Sequence, residues 1–284
     1  MSFHKHKKVG LALGSGSARG FAHIGVIKVL EKNNIPIDYI AGSSIGALVG
    51  GLYAATKDIA YIEKLALDTD WLQLVKLADP SFGSGFIAGE KVKQYIRDAL
   101  RGTTFSTLKI PFSVVATDII AGEPVIFHEG DLAEVIRASI SIPFIFHTVP
   151  DGEKILCDGA LSMPVPVPVA LQMGADYVIA VDLDSGYFKQ GHPKPKDNLM
   201  DMGNNVVMLL SSHLAKENMK KADLILTPSL GDVEWKSFGS RKATADLIAR
   251  GEKTMEEALP RYFESIKPKS IIVRVKEYLT QPLP

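Results

Sequence analysis

The sequence predicts an α/β fold of three layers, with helices on both faces of a mostly parallel central sheet. Short apolar runs at residues 9–13, 110–117 and 177–181 are typical of strands buried on both faces. Strand-like and helix-like segments alternate along the chain without an internal repeat. With 46% hydrophobic and 23% charged residues, the composition is that of a globular protein.

The first three segments predict a β-α-β unit. A strand at residues 9–13 meets a glycine-rich loop at 14–20, and a helix over about 21–32 leads to a second strand that ends near residue 43. Such a unit places the tips of two neighbouring parallel strands at one edge of the sheet. We therefore expect the loops that follow both strands to lie side by side.

The remaining elements follow from the spacing of apolar residues and from glycine and proline breaks. We expect helices at residues 57–76, 90–100, 132–139, 199–221 and 243–259, and one ending near Gly174. We expect strands at residues 110–117, 123–130, 177–181, 224–227 and 270–275, a hairpin at 148–156, and linker-like chain at 186–198. The prediction is one domain over residues 1–284, whose core motifs lie in 9–181 and whose segment 199–284 completes it.

Charge and cysteine content narrow the class of protein. The 32 basic and 32 acidic residues cancel, so no global field attracts nucleic acid. A single cysteine, Cys157, fits a reducing compartment. The N-terminus lacks an apolar stretch of signal-peptide length, and no apolar run reaches the length of a membrane span. We expect a cytoplasmic protein without a nucleic-acid partner.

Residues 38–53 predict a strand that turns sharply into a buried helix, with Ser44 on the turn. Gly42 and Gly46 flank Ser44 in the Gly-x-Ser-x-Gly pattern of a nucleophile elbow, where close backbone approach favours glycine. The alternative is a glycine-rich turn in which the serine only caps the helix. The small and apolar helix at residues 47–55 favours the catalytic interpretation, because a buried helix holds the serine rigidly.

A serine nucleophile also needs donors for the oxyanion and a base. Backbone N–H groups of Ser15, Gly16 and Ser17 can point into one hollow, and the N–H of Ile45 follows the nucleophile directly. The alternative for this loop is a phosphate cradle, but a strict Gly-x-Gly-x-x-Gly counted from Gly14 is absent.

For the base, none of the seven histidines has a local setting that singles it out. Asp158 is the better candidate, because it follows a strand and precedes Gly159, so that its carboxylate can lie at a strand tip. Partial burial would raise its pKa and strengthen it as a base. Four other aspartates compete for the role: Asp118, Asp151, Asp182 and Asp184.

Three blocks of sequence resemble the bacterial patatin-like phospholipase family. They are Leu-Gly-Ser-Gly-Ser-Ala-Arg-Gly-Phe-Ala-His-Ile-Gly at residues 13–25, Gly-Ser-Ser-Ile-Gly at 42–46 and Asp-Gly-Ala at 158–160. The similarity runs over residues 9–181 and includes Arg-Ala-Ser-Ile-Ser-Ile-Pro at 137–143. The resemblance implies a patatin-like α/β/α fold and a dyad of Ser44 as nucleophile and Asp158 as general base, without metal or cofactor.

The resemblance also places the family's oxyanion loop on residues 15–20. Ser15 and Ser17 stand where the family usually has glycine, and Gly20 is retained. Backbone N–H groups survive such a change. Arg19 either pins the loop, meets a lipid phosphate or forms a salt bridge within the fold.

The function expected from these observations is a serine acyl hydrolase that cleaves fatty acyl esters of phospholipids or lysophospholipids. An acyltransferase that uses the same acyl-serine and a non-catalytic lipid-binding or regulatory protein are the alternatives. The methionine-rich helix at residues 199–221 is core, a lid, a membrane-contacting face or a dimer contact. Peripheral membrane contact and a homo-oligomer therefore stay open as partners beside the lipid.

Overall fold

The computed structural model describes residues 7–69, 88–185, 199–230 and 240–267. Within these ranges eight strands form one mixed sheet in the order β5-β6-β3-β2-β1-β7-β8, with β4 also paired to β3. The strands are β1 Val9–Leu13, β2 Tyr39–Ser43, β3 Phe112–Asp118, β4 Glu123–Phe127, β5 Val149–Asp151, β6 Lys154–Cys157, β7 Tyr177–Val181 and β8 Leu224–Leu226. The neighbouring strands β3, β2, β1, β7 and β8 pair in parallel. Strands β4 and β6 pair antiparallel with β3, and β5 pairs antiparallel with β6.

Eight helices flank this sheet in the described part of the chain. They are α1 Ala22–Lys32, α2 Ile45–Thr56, α3 Ile59–Asp68, α4 Glu90–Ala99, α5 Leu132–Ser139, α6 Val167–Gln172, α7 Leu199–Asn218 and α8 Arg241–Ile266. The predicted α/β fold with a mostly parallel sheet is therefore confirmed.

The alternation of side chains along β1 separates the two helical layers. Leu11 and Leu13 face a large core that includes residues of α1, α2 and α8, whereas Ala12 faces a smaller core with α6 and Ala215 of α7. All of these side chains are fully buried. The sheet is thus covered on both faces, as a central parallel sheet requires.

Helix ends differ from the expectations where a cap or the tertiary packing decides. Asp58 accepts the N–H of Tyr61 and starts α3, which ends at Asp68. Residues 70–76 of the helix predicted at 57–76 lie outside the described residues. α8 runs through Pro260, where the sequence predicts an end, because burial of Tyr262 beyond it against Tyr177 offsets the cost of the proline. The strand expected at 270–275 and the linker at 186–198 lie outside the described residues.

α7 combines a buried and an exposed side. Ser211, Ser212 and Ala215 are buried, whereas Val206 and Leu210 are 50% and 59% exposed. The helix is therefore not plain core, which was one of the four expectations for it. In the described ranges, no helix is both long and apolar enough to cross a membrane.

α1 and α8 cross at two glycines. An ideal Cβ on Gly251 would lie 2.0 Å from the carbonyl oxygen of Ala22, and one on Gly25 would lie 2.0 Å from that of Ile248. Because the obstructing atoms belong to the backbone, they cannot rotate away. The small residues allow α8 to lie directly on α1.

We predict that Gly251→Ala lowers the free energy of unfolding by about 1–3 kcal/mol through overpacking, despite the higher helix propensity of alanine. Denaturant unfolding measures the change. Gly203→Ala in α7 is the control, because its Cβ would meet only the Phe144 ring, at 3.3 Å. Equal stability of the Gly251→Ala variant and the wild type would contradict this close helix crossing.

Candidate active site

Ser44 lies on the tight turn between β2 and α2. Its backbone has φ 55° and ψ −127°, a conformation that costs a non-glycine residue about 1–3 kcal/mol. A Cβ on Gly42 would lie 2.6 Å from the carbonyl oxygen of Gly46, and one on Gly46 would lie 2.1 Å from that of Leu13. The flanking glycines therefore allow the turn to be this tight.

The register of the sheet brings the turn to Asp158. β2 pairs with β3 as far as Ser43, and β6 pairs with β3 as far as Cys157, while β4 occupies the opposite edge of β3. The partners of these two end residues on β3 are two positions apart. The next residues, Ser44 and Asp158, consequently arrive from opposite directions beside Ala116.

The two side chains are hydrogen-bonded at this junction. Ser44 Oγ donates to Asp158 Oδ2 at 2.7 Å, and the other carboxylate oxygen, Oδ1, accepts the N–H of Ala160 at 2.8 Å. Ser44 is 4% exposed and Asp158 is 3% exposed. Burial raises the pKa of Asp158 to about 7, although both hydrogen bonds oppose this shift.

Gly159 is required beside Asp158 for steric reasons. A Cβ at this position would lie 2.3 Å from the carbonyl oxygen of Val115 and 2.6 Å from Ser43 Oγ. Glycine therefore lets the chain that leaves β6 pass close to the ends of β2 and β3.

Two serines at the C-terminal end of α5, its last residue Ser139 and Ser141 just beyond it, brace both catalytic candidates. The N–H of Ser44 donates to Ser139 Oγ at 2.9 Å, and Ser139 Oγ donates to the carbonyl oxygen of Val115 at 2.6 Å. The N–H of Asp158 donates to the carbonyl oxygen of Ser141 at 3.0 Å. Neither serine has a role that could be predicted from its neighbours in the sequence, although both belong to the 137–143 block that carries part of the family resemblance.

The glycine-rich loop is held at its start by three hydrogen bonds. The N–H of Gly14 donates to Val181 at 3.0 Å, and the N–H of Ser15 donates to Pro164 at 2.8 Å. His23 Nε2 lies 2.7 Å from the carbonyl oxygen of Gly14, and burial lowers the pKa of His23 to about 4, so the ring is neutral and donates from this nitrogen. His23 thus anchors the glycine-rich loop, a role that its local sequence does not predict.

The next part of the loop turns toward the start of α2. Gly16 and Ser17 both have positive φ, 155° and 52°. A Cβ on Gly20 would lie 2.1 Å from Ile45 Cγ1, so the end of the loop packs directly on the residue after the nucleophile. Ile45 is the first residue of α2, so its N–H has no acceptor within that helix.

Arg19 forms a buried salt bridge. Its Nη2 lies 2.7 Å from Asp184 Oδ1, and both side chains are at most 5% exposed. This contact agrees with two of the three interpretations of Arg19, a loop pin and a salt bridge within the fold.

Two of the competing aspartates bind backbone N–H groups near their own position, and a third is exposed. Asp118 accepts the N–H of Ile120 at 3.0 Å, Asp182 accepts that of Ser185 at 3.0 Å, and Asp151 is exposed on the hairpin. The fourth, Asp184, binds Arg19. Asp158 is the carboxylate that contacts Ser44 in the described part of the chain.

The sequence is similar to proteins from both bacteria and yeast. An uncharacterised NTE family protein of Mycobacterium tuberculosis is 42% identical over 180 residues, which cover 62% of this chain and 49% of that protein. The lysophospholipase NTE1 of Kluyveromyces lactis is 35% identical over 183 residues, covering 62% of this chain and 13% of that protein. The chain thus matches about half the length of the mycobacterial relative and a small part of the yeast one.

Solved structures with a similar fold share little sequence. VipD from Legionella pneumophila has a TM-score of 0.58 at 14% identity, covering 90% of this chain and 67% of that one. The type III effector protein ExoU has a TM-score of 0.50 at 14% identity, covering 92% of this chain and 54% of that one. A model of the family described as patatin-like phospholipase matches residues 11–171, more than half of the sequence. The chain belongs to the patatin-like phospholipase family.

Proposed function

We propose that the protein is a serine acyl hydrolase that cleaves fatty acyl esters of lysophospholipids or phospholipids through a dyad of Ser44 and Asp158. The observation that carries the proposal is the 2.7 Å hydrogen bond between Ser44 Oγ and Asp158 Oδ2, on a strained turn next to the glycine-rich loop. A nucleophile that is hydrogen-bonded to a base and held by rigid elements is the arrangement that acyl transfer requires.

In the first half of the reaction, the Asp158 carboxylate takes the proton of Ser44 as Oγ attacks the ester carbonyl carbon. The tetrahedral oxyanion is held by the N–H groups of Gly16, Ser17 and Ile45. Ser15 is removed from the predicted set of donors, because its N–H binds Pro164. Asp158 then gives its proton to the departing alcohol, and the fatty acyl group stays on Ser44.

In the second half, Asp158 takes a proton from water as the water oxygen attacks the acyl-serine. Collapse of the second tetrahedral intermediate releases the fatty acid, and the proton on Asp158 returns to Ser44 Oγ. Each step uses groups of this chain, the ester and water alone. A carboxyl with a pKa near 7 is well matched to both proton transfers at neutral pH.

The choice of a lipid ester rests on the family and on the surface beside the site. The yeast relative is named a lysophospholipase. α7 approaches the glycine-rich loop, since Arg19 Nη2 lies 3.7 Å from Met208 Sδ. The outer side of this helix exposes four apolar side chains: Met202, Val206, Leu209 and Leu210. We propose that this side contacts the acyl chains of the lipid or the membrane surface that presents it.

We predict that Ser44→Ala lowers hydrolysis of a p-nitrophenyl ester and of lysophosphatidylcholine at least about 1000-fold, because the attacking oxygen is lost. Fluorophosphonate labelling of the protein disappears in the same variant. Ser106→Ala is the matched control, since Ser106 is exposed and outside the site.

Unchanged hydrolysis in Ser44→Ala would refute the dyad. Labelling without hydrolysis of any lipid ester would favour the alternative of a binding protein. An added alcohol or thiol that diverts most of the acyl group from water would favour the acyltransferase.

The raised pKa of Asp158 predicts a pH dependence of the reaction. Only the ionised carboxylate accepts the proton of Ser44, so kcat/KM falls about tenfold per pH unit below about pH 7 and levels off above it. Initial rates with a p-nitrophenyl ester, taken on both sides of about pH 7, measure this fall in kcat/KM. A flat profile between about pH 5 and about pH 8 would show that a group of ordinary carboxyl pKa, or none, controls the reaction.

The same shift predicts that Asp158→Asn stabilises the protein while it reduces hydrolysis. The pKa of Asp158 rises from 3.8 to about 7 on folding, so ionisation costs stability as the pH rises between these values. The variant avoids this cost, and its gain in unfolding free energy is about 2–3 kcal/mol larger at about pH 8 than at about pH 5. Denaturant unfolding at both pH values tests it.

Asp151→Asn, on the exposed hairpin turn, is the control for this measurement. We expect its effect to stay within about 0.5 kcal/mol at either pH. A gain for Asp158→Asn that does not depend on pH would contradict the raised pKa.

A further inference from the structure

A second buried carboxylate lies beside the active site, just after β7. Asp184 is 2% exposed and accepts hydrogen bonds from three side chains. Its Oδ2 accepts the hydroxyls of Ser15 and of Ser211, the latter at 3.0 Å, and its Oδ1 accepts Arg19 Nη2 at 2.7 Å. One side chain therefore joins the glycine-rich loop to α7.

The two loop residues that contact Asp184 flank two of the proposed oxyanion donors in the sequence. Ser15 and Arg19 lie on either side of Gly16 and Ser17, the two residues with positive φ. Left-handed backbone is unfavourable for Ser17, because it has a Cβ where glycine would have none. A loop of this shape needs contacts from outside to hold it, and Asp184 supplies one on each side.

Arg19 carries the effect of Asp184 to one particular peptide group. Arg19 Nε donates to the carbonyl oxygen of Gly16 at 3.2 Å, and the N–H of Arg19 donates to the same oxygen at 3.1 Å. The carbonyl of Gly16 and the N–H of Ser17 belong to one planar trans peptide and point in opposite directions. Holding the carbonyl oxygen toward Arg19 therefore fixes the direction in which the N–H of Ser17 points.

We propose that Asp184 is a positioning residue for ester hydrolysis, which holds Ser15 and Arg19 so that the N–H of Ser17 faces the oxyanion formed at Ser44. The inference rests on the proposed function. Asp184 touches neither the substrate nor the reacting atoms in this account. It acts through the orientation of the Gly16–Ser17 peptide, and its bond to Ser211 ties the same loop to α7.

The test compares Asp184→Asn, Ser15→Ala and the double variant with the wild type, on a p-nitrophenyl ester at about pH 9, where Asp158 is ionised. We expect kcat to fall about 100-fold in Asp184→Asn and about tenfold in Ser15→Ala, with KM within about twofold, because the oxyanion forms only in the transition state. The double variant should be no slower than Asp184→Asn, since both changes break the same contact.

Two further measurements separate positioning from general loss of structure. Ser15→Ala leaves the Arg19–Asp184 pair whole, so it reports on the loop even if Asp184→Asn fails to fold. Asp118→Asn is the matched control, a 6% exposed carboxylate at the same end of the sheet that accepts the backbone N–H groups of Ile120 and Ile155, and its kcat should stay within about threefold of the wild type.

Unchanged kcat in Ser15→Ala, additive losses in the double variant, or activity lost only in proportion to unfolded protein would overturn the role of Asp184. Fluorophosphonate labelling distinguishes this failure from that of the proposed function. Wild-type protein that labels at Ser44, with variants that label and turn over equally fast, refutes the positioning role alone. Wild-type protein without Ser44-dependent labelling or hydrolysis refutes both.

Discussion

The site depends on how two strands share one edge of β3. β2 runs along this edge until Ser43, and β6 enters from the other end until Cys157, so that the next residue of each chain lies beside Ala116. Neither Ser44 nor Asp158 has to reach across a cleft. Their contact is therefore a consequence of sheet register, and a register shift of one residue in β6 would turn the carboxylate to the other face.

This geometry has costs in stability that the surrounding residues offset. Ser44 occupies a strained backbone conformation, and Asp158 is an acid buried away from water. The backbone N–H of each is satisfied, by Ser139 Oγ and by the carbonyl of Ser141, and both of these acceptors lie at the C-terminal end of α5 or just beyond it. Rigid support of this kind keeps a nucleophile and its base in contact before substrate arrives.

The sequence predicted those features that depend on local chemistry. The glycines of the elbow, the apolar strands and the Asp-Gly-Ala turn are readable because close backbone approach and burial restrict the residue types. The hydroxyls of Ser139 and Ser15 had no predicted role, and Asp184 was predicted only as a competing base, because their contacts arise from partners as many as 169 positions away. The end of α8 was misjudged for the same reason, since packing of Tyr262 outweighs the local effect of Pro260.

The central claim is that Ser44, Asp158 and the glycine-rich loop form one catalytic hollow. A crystal structure of the protein after reaction with a fluorophosphonate tests it most directly. We expect phosphorus bonded to Ser44 Oγ, with its negatively polarised oxygen about 3 Å from the N–H groups of Gly16, Ser17 and Ile45. An adduct on another residue, or a phosphonyl oxygen directed away from this loop, would contradict the account.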